Sequence, residues 1–160
     1  MASQATDINL VERFLDFLKT KNLRNTPERT TLLDYIAACH GHFTIEMIQQ
    51  MARDNAFHVS RATIYNTVNL LVEARLLRRY DIEGQQIQFE LSSRAPHAHL
   101  VCNSCGKVKE VSDKYFISFM NTRRYQAFTT EYYSLFQYGT CSTCARRFKR
   151  EAGDTTKKKK

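Results

Sequence analysis

The sequence predicts an α+β fold built from two small units in succession, and two patterns support this prediction. Apolar residues recur at helical spacing from Leu10 to Leu71 and then alternate with polar residues up to Leu91. A short polar stretch follows, and the rest of the chain alternates between strand and helix patterns around two Cys-x-x-Cys pairs. The chain has 160 residues, which suits one ordinary domain or two very small ones.

Four helices are predicted in the first unit. The first spans residues 8–20, where apolar side chains recur every three or four positions. Each of the next three begins at a hydroxyl side chain that can accept a hydrogen bond from the first turn. These N-caps are Thr26 (with Pro27 at the first helical position), Thr44 and Ser60. Gly41 is expected to end the second helix.

A two-stranded hairpin is predicted after the helices. Ile87, Phe89 and Leu91 alternate with Gln86, Gln88 and Glu90, which is typical of a half-buried strand. Residues 76–80 would form the partner strand, and residues 81–85 contain Gly84 and suit the turn. Four helices followed by a two-stranded wing is the order of a winged helix-turn-helix module. Residues 1–91 are therefore predicted to be a DNA-binding domain.

The second unit is predicted to be a small α/β domain over residues 97–150, after a linker at residues 92–96. Its predicted elements are strands at 98–102 and 107–111, a helix over 113–125 and a strand at 131–138. Residues 151–160 end in four lysines and are predicted to be a disordered basic tail.

The strongest chemical signal is a set of four cysteines, Cys102, Cys105, Cys141 and Cys144. Two residues between the cysteines of a pair let both sulfurs face one ion, and four thiolates match a closed, tetrahedral structural zinc site. Such a site contributes on the order of 10–16 kcal/mol to folding in small peptides. Disulfides or a redox dithiol remain alternatives. Cys39 lies in the apolar pattern of the second helix and is expected to be a buried small hydrophobe.

Composition restricts the classes of function. No stretch approaches 18 consecutive apolar residues, and the N-terminus lacks a signal-peptide pattern, so we expect a cytoplasmic protein with reduced thiols and no membrane partner. The net charge of +8 lies entirely in residues 96–160, so charge alone is weak evidence for a DNA-binding face in the first unit. No nucleophile–base pattern is present in the sequence. We therefore expect that the protein is not an enzyme and has no small-molecule substrate.

Three sequence blocks resemble the ferric uptake regulator family of bacterial metal-dependent repressors. They are Leu23-Arg-Asn-Thr-Pro-Glu-Arg29, Ser60-Arg-Ala-Thr-Ile-Tyr65 leading into Asn69-Leu-Leu71, and His97-Ala-His99-Leu-Val-Cys102-Asn-Ser-Cys105-Gly-Lys107. The resemblance runs from about residue 10 to about residue 147. It implies a homodimer whose second unit is the dimerisation domain. It also implies a palindromic, AT-rich double-stranded DNA operator and control of iron homeostasis genes.

The resemblance also implies a regulatory metal site. Carried over by position, its ligands are His42, Glu90, His97, His99 and Glu110. The strand pattern agrees for His97 and His99, because alternate residues of a strand point to one face. Nitrogen and oxygen donors suit Fe(II), Mn(II) or Zn(II). Glutamate where the peroxide sensors of the family use aspartate favours Fe(II).

The DNA-binding residues implied by the resemblance lie on the fourth helix and near the first two helices. On the fourth helix they are Arg61, Thr63, Tyr65 and Asn66, on the face away from the core, which suits a major groove. Lys21 resembles a minor-groove lysine, and Arg24 and Arg29 are candidate phosphate contacts. Asn66 stands where the family usually has arginine, so base preference is expected to differ.

A third metal site found in many family members is predicted to be absent. The positions that would supply its ligands hold Pro96, Ala98, Ile117 and Tyr133, and none of these is a suitable ligand. Four alternatives to an iron-dependent repressor stay open. They are a constitutive zinc-stabilised DNA-binding protein, a sensor of manganese, zinc or peroxide, a thiol redox protein, and a metalloenzyme that uses the histidine and glutamate cluster.

Overall fold

The protein is described by a computed structural model covering residues 3–82 and 86–157. It divides into two compact units, one ending at Arg94 and the other beginning at Ala95, so the division falls inside the predicted linker. The tip of the predicted hairpin turn, residues 83–85, and the last three lysines lie outside the described residues. Across the described part of the chain, no helix is long and apolar enough to cross a membrane.

Four helices and a two-stranded sheet make up the first unit. The elements are α1 (Ser3–Thr20), α2 (Pro27–Ala37), α3 (Ile45–Asp54), α4 (Arg61–Glu73), β1 (Leu77–Tyr80) and β2 (Gln88–Leu91). The N-caps were predicted correctly: Thr26, Thr44 and Ser60 each accept a hydrogen bond from the backbone of the first turn. One face of every helix joins a common core. Its fully buried side chains include Phe14, Leu18, Leu32, Ile36, Ile48, Ile64 and Leu71.

The loop between α2 and α3 is tied to the hairpin by a single β-bridge. The N–H of Phe43 donates to the carbonyl of Phe89 at 2.9 Å, and the reverse bond is 2.8 Å. The two rings stack with centroids 5.9 Å apart, and both are buried in the core. The expectation that Gly41 ends α2 was wrong, because the helix stops at Ala37. Gly41 instead has φ 115°, a conformation open to glycine, in the turn before this bridge.

The second unit is a three-stranded sheet with two helices. Its elements are β3 (Ala98–Cys102), β4 (Val108–Val111), α5 (Lys114–Thr122), β5 (Leu135–Gly139) and α6 (Ser142–Lys157). The strand order is β4-β3-β5, with β3 antiparallel to β4 and parallel to β5. Six large aromatic side chains between α5 and the end of β5 are exposed: Tyr115, Phe119, Tyr125, Phe128, Tyr132 and Tyr138.

The last strand is shorter than predicted. It begins at Leu135, which lies opposite Ala98, the first residue of β3. Pro96 has no N–H group to extend the ladder further back, so residues 131–134 are not part of the strand.

The helices of this unit also differ from the prediction, since α5 ends early and α6 was not predicted. Helix α5 ends at Thr122 rather than Tyr125, because the chain then turns through a bridge between Tyr125 and Phe128. Helix α6 continues to Lys157, so residues 151–157 are helical rather than disordered. An ion pair of 3.8 Å between Arg147 and Glu151, one turn apart, supports the helix across residue 151.

Candidate metal centres and nucleic-acid interface

The four cysteines of the two Cys-x-x-Cys pairs lie together at one edge of the second unit. Each contributes a sulfur, and all four sulfurs lie within 4.8 Å of one another. Cys102 ends β3 and Cys141 follows β5. Because these strands are parallel neighbours, with Cys102 opposite Gly139, their carboxyl ends deliver both pairs to the same place. Cys144 lies in the first turn of α6 and is buried, whereas Cys105 is exposed.

The turn between the first two cysteines requires a glycine. Gly106 has φ 71°, and its N–H donates to the carbonyl of Cys102 at 2.8 Å. A residue with a β-carbon would be strained in this left-handed conformation. Gly106 therefore lets the chain fold back to place Cys105 next to Cys102.

Hydrogen bonds within the cluster give its thiols different pKa values. The backbone N–H of Cys141 donates to the sulfur of Cys102 at 3.3 Å. This bond, helped by one from the backbone of Ser104, lowers the pKa of Cys102 to about 6. The Cys144 thiol donates hydrogen bonds mainly to Cys141 and also to Cys105. These bonds raise the pKa of Cys144 to about 12. The backbone N–H of Cys144 in turn lowers the pKa of Cys141. The cluster thus combines a preformed thiolate with a thiol whose proton a cation must displace.

A four-coordinate zinc ion fits this donor set. Zinc–sulfur bonds of about 2.3 Å in a tetrahedron place the sulfurs about 3.8 Å apart. The sulfurs of Cys105 and Cys141 are 3.9 Å apart, far beyond the roughly 2 Å of a disulfide bond. Four protein ligands leave no open position on such an ion, so its role would be structural.

In the first unit, the Phe43–Phe89 bridge brings two candidate ligands of the regulatory metal together. His42 precedes Phe43 and Glu90 follows Phe89, so an antiparallel bridge makes them neighbours. The Nε2 atom of His42 lies 3.5 Å from Oε2 of Glu90. This pair joins residues that are far apart in the sequence.

Glu90 alternates with apolar residues on a strand that the sequence predicts to be half-buried, which would place its side chain on the polar face. Its side chain does point away from the helical core, as the alternation predicts, but it is fully buried. Ile87, expected on the apolar face of the strand, lies before β2 and is 37% exposed. The alternation therefore predicted the direction of these side chains and not their solvent contact.

Three residues around Glu90 were not identified from the sequence. Arg78 lies directly opposite Glu90 in the hairpin, and its Nη1 atom is 3.3 Å from Oε1. Tyr80, two residues along β1, donates its hydroxyl to the same oxygen. Arg94 reaches Oε2 at 3.3 Å. The hairpin register could have predicted Arg78, because opposite residues share a face. Two guanidinium groups therefore compensate the buried charge of Glu90.

In the second unit, the sheet gathers the remaining candidate ligands. The rings of His97 and His99 are 4.7 Å apart between centroids, and Nε2 of His97 lies 3.9 Å from Oε2 of Glu110. Glu110 is the residue opposite His99 across β3 and β4. The Nδ1 atom of His97 is 2.9 Å from the carbonyl of Ala95. A proton on Nδ1 in this bond would make Nε2 the atom whose lone pair can bind a cation.

His99 is fixed by the parallel strand β5. Its Nδ1 atom is 3.3 Å from the carbonyl of Leu135, and its ring stacks on Phe136 with centroids 4.7 Å apart. The side chain is buried. Both contacts hold the imidazole in one orientation, as is usual for a histidine that binds a metal.

The predicted recognition helix presents polar side chains to solvent. Arg61, Tyr65 and Asn66 are exposed, whereas Ile64, Thr67 and Val68 are buried. Arg61 donates to Glu46 of α3 at 2.7 Å and to the hydroxyl of Tyr65 at 3.2 Å. The hydroxyl of Thr63 lies 2.8 Å from that of Ser60, so Thr63 also takes part in the N-cap.

The three basic residues predicted near the first two helices lie on the surface of the first unit or close to it. Lys21 and Arg24 are exposed, and Arg29 is partly buried. Lys21 forms an ion pair with Glu73, and Arg29 donates to the carbonyl of Arg24. Arg29 and Asn66 also line a surface cavity of about 420 Å³ where the first turns of α2 and α4 meet.

The positions of the predicted missing metal site lack ligand groups. Ala98 is buried in β3, and Ile117 lies on α5. Tyr133 packs edge-on against Phe116, with centroids 6.2 Å apart, and its hydroxyl is buried with no hydrogen-bond partner among the described residues.

Comparisons with known proteins identify relatives of this chain by sequence. The sequence profile of the ferric uptake regulator family matches residues 20–135. The chain is 31% identical to the ferric uptake regulation protein of Yersinia pestis over 129 residues, which cover 79% of this chain and 86% of that protein. It is 30% identical to the Campylobacter upsaliensis protein of the same name over 150 residues, which cover 88% and 92% of the two chains.

A solved structure of a ferric uptake regulator has a fold similar to that of this chain. The structure of the Helicobacter pylori ferric uptake regulator superposes with a TM-score of 0.71 at 20% identity, covering 87% of this chain and 93% of that one. The chain therefore shares the sequence profile and the fold of a family of regulators rather than enzymes. This chain belongs to the ferric uptake regulator family of DNA-binding, metal-responsive transcriptional regulators.

Proposed function

We propose that this regulator is a zinc-stabilised, Fe(II)-dependent repressor that acts as a cytoplasmic homodimer on iron homeostasis genes. The main observation in its support is that candidate ligands occur as two fixed groups, one in each unit. His42 and Glu90 are held in the first unit by the Phe43–Phe89 bridge. His97, His99 and Glu110 are held in the second by the β4-β3-β5 sheet.

In the proposed mechanism, one regulatory ion takes ligands from both groups. Binding of the ion would then select one orientation of the DNA-binding domain relative to the dimerisation domain. A dimer selected in this way presents two recognition helices at the spacing of a palindromic, AT-rich operator. The ion supplies coordination energy, while the protein's own contacts orient the imidazoles and the carboxylates.

The donor chemistry supports Fe(II) but also suits Mn(II) and Zn(II). Imidazole and carboxylate ligands without thiolate are shared by all three ions, whose affinities follow a general order that does not identify the resident metal. The names of the similar Yersinia and Campylobacter proteins support iron. We therefore place Fe(II) first and keep a sensor of manganese, zinc or peroxide as the alternative.

We further propose that this chain uses two metal sites. The Helicobacter pylori regulator is described as having three functional metal-binding sites. In this chain Ala98 and Ile117 offer no donor where a third site would need one. One zinc ion and one regulatory ion per chain is the expected content.

DNA recognition is proposed to use Arg61, Thr63, Tyr65 and Asn66, with backbone contacts from Lys21, Arg24 and Arg29. The exposed face of α4 supports the first group. Several of these side chains have partners inside the first unit, such as Glu73 for Lys21 and Glu46 for Arg61. Binding to DNA would exchange these weak surface ion pairs for phosphate or base contacts.

The metal content of the purified protein tests the proposed sites. Protein treated with a chelator and then supplied anaerobically with Fe(II) should contain one zinc and one iron per chain. The His97→Ala variant should keep the zinc and lose the iron, and His40→Ala, which changes an exposed histidine outside the cluster, should keep both. Zinc without iron in the unmodified protein would favour a constitutive DNA-binding regulator.

DNA binding tests the proposed switch. The unmodified protein should bind operator DNA tightly with Fe(II) and weakly without it, whereas His97→Ala should bind weakly in both conditions. His40→Ala should behave like the unmodified protein. Equal affinity of the unmodified protein with and without divalent metal would overturn the switch. A stronger response to Mn(II) or Zn(II) than to Fe(II) would change the identity of the proposed regulatory metal and leave the proposed mechanism unchanged.

A further inference from the structure

Helix α6 carries a basic stripe that neither metal site uses. The stripe consists of Arg146, Lys149 and Arg150, and all three side chains are exposed. Among the described side chains, none of the three forms an ion pair with a carboxylate. A helix places positions i, i+3 and i+4 on one face, so these three charges lie side by side.

The zinc ligand Cys144 fixes which way this stripe faces. Cys144 is buried in the four-cysteine cluster and sets the rotation of the helix about its axis. At 3.6 residues per turn, all three stripe residues lie at least about 120° around the helix axis from Cys144. The cluster thus anchors α6 through Cys144 and leaves the basic stripe in solvent on the opposite side of the helix.

The other described charges of the helix and its bulky apolar residue lie on the same side of the helix as Cys144, and they too are exposed. Arg147 pairs with Glu151 at 3.8 Å and covers the ring of Phe148 with its guanidinium group 5.5 Å from the ring centroid. Glu151 is therefore engaged by Arg147 rather than by the stripe. Up to Glu151, where the structure describes the side chains of α6, no acidic residue lies on the face of the stripe.

We propose that the stripe binds the phosphate backbone of double-stranded DNA without regard to base sequence. Guanidinium groups make charge-assisted, often bidentate hydrogen bonds to phosphate, and lysine adds a point charge. The alternative of a membrane surface is less suited to α6. A helix that lies on a membrane needs a broad apolar face opposite its charges. Here that side carries the buried Cys144, a half-exposed Phe148 and an ion pair.

This interaction goes beyond the proposed metal switch and does not depend on it. It belongs to the second unit, whereas base recognition is assigned to α4 in the first. It would add affinity for any duplex, with or without the regulatory metal. It would therefore help the protein to stay on DNA while it searches for an operator.

The test measures how DNA affinity depends on salt. The full-length, zinc-loaded protein is titrated onto a duplex of unrelated sequence at several NaCl concentrations, without added Fe(II). In the variant Arg146→Gln, Lys149→Gln, Arg150→Gln, the slope of log affinity against log salt should become shallower by about 2 to 3 per chain, since each lost phosphate contact changes it by about 0.9.

A matched variant controls for net charge. Lys107→Gln, Lys109→Gln, Lys114→Gln removes three exposed positive charges from the same unit, and both variants keep the four terminal lysines. This control should retain the slope of the unmodified protein. Zinc content checks that both variants are folded, and Arg146→Lys, Arg150→Lys should keep the slope because it keeps the charge. An unchanged slope in the stripe variant, or an equal loss in the control, would overturn the proposal.

Discussion

Phe43 and Phe89 exchange a pair of backbone hydrogen bonds of 2.9 and 2.8 Å, and their rings stack inside the core of the first unit. This one bridge joins the loop after α2 to the second strand of the hairpin. Its immediate effect is to place His42 beside Glu90. The packing of the core and the assembly of half of the proposed regulatory site therefore depend on the same contact.

Replacing Phe43 with alanine should lower the free energy of unfolding of the first unit by about 3–5 kcal/mol, because it leaves a cavity against Phe89. Chemical denaturation of the zinc-loaded protein measures the change. Met47→Ala is the control, since Met47 is 48% exposed on the neighbouring helix α3. A similar loss of unfolding free energy in both variants would show that the ring of Phe43 stabilises the first unit no more than an exposed side chain does.

Arg94→Gln should raise the affinity of the regulatory site for divalent metal by about threefold to tenfold. The guanidinium of Arg94 lies 3.3 Å from Oε2 of Glu90 and competes with a cation for that oxygen. Metal titration by calorimetry measures the effect. Arg79→Gln removes the same charge from the other face of β1 and should leave the affinity unchanged. A weaker affinity in Arg94→Gln would mean that Arg94 positions Glu90 rather than competing for it.

Cys102→Ser should abolish zinc retention and unfold the second unit while the first unit stays folded. The core of the first unit contains no ligand of the cluster, whereas β3, β5 and α6 each carry or adjoin one. Hydrogen exchange should show lost protection in β3 and β5 and retained protection in α2 and α4. Cys39→Ser provides the control, because Cys39 packs against the first core and should not affect zinc. Loss of protection in both units would contradict their independence.

Zinc binding should release more protons as the pH falls. Cys102, with its pKa lowered to about 6, is a thiolate at neutral pH and releases no proton there. Below that pKa it is protonated, so proton release should rise by about one between pH ~7.5 and pH ~5, and zinc affinity should fall accordingly. Cys144, with its pKa raised to about 12, should release its proton at either pH. Calorimetry in buffers of different ionisation enthalpy counts these protons. A constant number across this range would contradict the lowered pKa of Cys102.

Local features of the fold were predictable from the sequence, whereas contacts between distant segments were not. Hydroxyl N-caps such as Thr26 and Ser60 were identified because a cap depends on its own first turn. Burial of Glu90 was missed because it depends on Arg78 and Arg94, which only the folded hairpin and the chain after it bring near. The start of β5 was missed for a similar reason, since it is set by where β3 begins.

The candidate sites also differ in whether a local sequence pattern identifies their residues. The four cysteines were identified by spacing alone, because the two residues between the cysteines of each pair form a local turn that brings both sulfurs together. The candidate ligands of the proposed regulatory metal needed the family resemblance, since an isolated glutamate or histidine gives no local signal. Helix α6 was not predicted, because its run of charges resembles a disordered tail, although the spacing of Arg147 and Glu151 supports a helix.

All six exposed aromatic residues between α5 and the end of β5 lie in the segment that starts after Cys105 and ends before Cys141. A metal that joins the two cysteine pairs turns this segment into a closed loop and removes much of the conformational freedom of its ends. The exposed aromatic side chains are then carried by a segment that the metal has ordered. A chelator that never touches these side chains would disorder them by restoring the entropy of the loop.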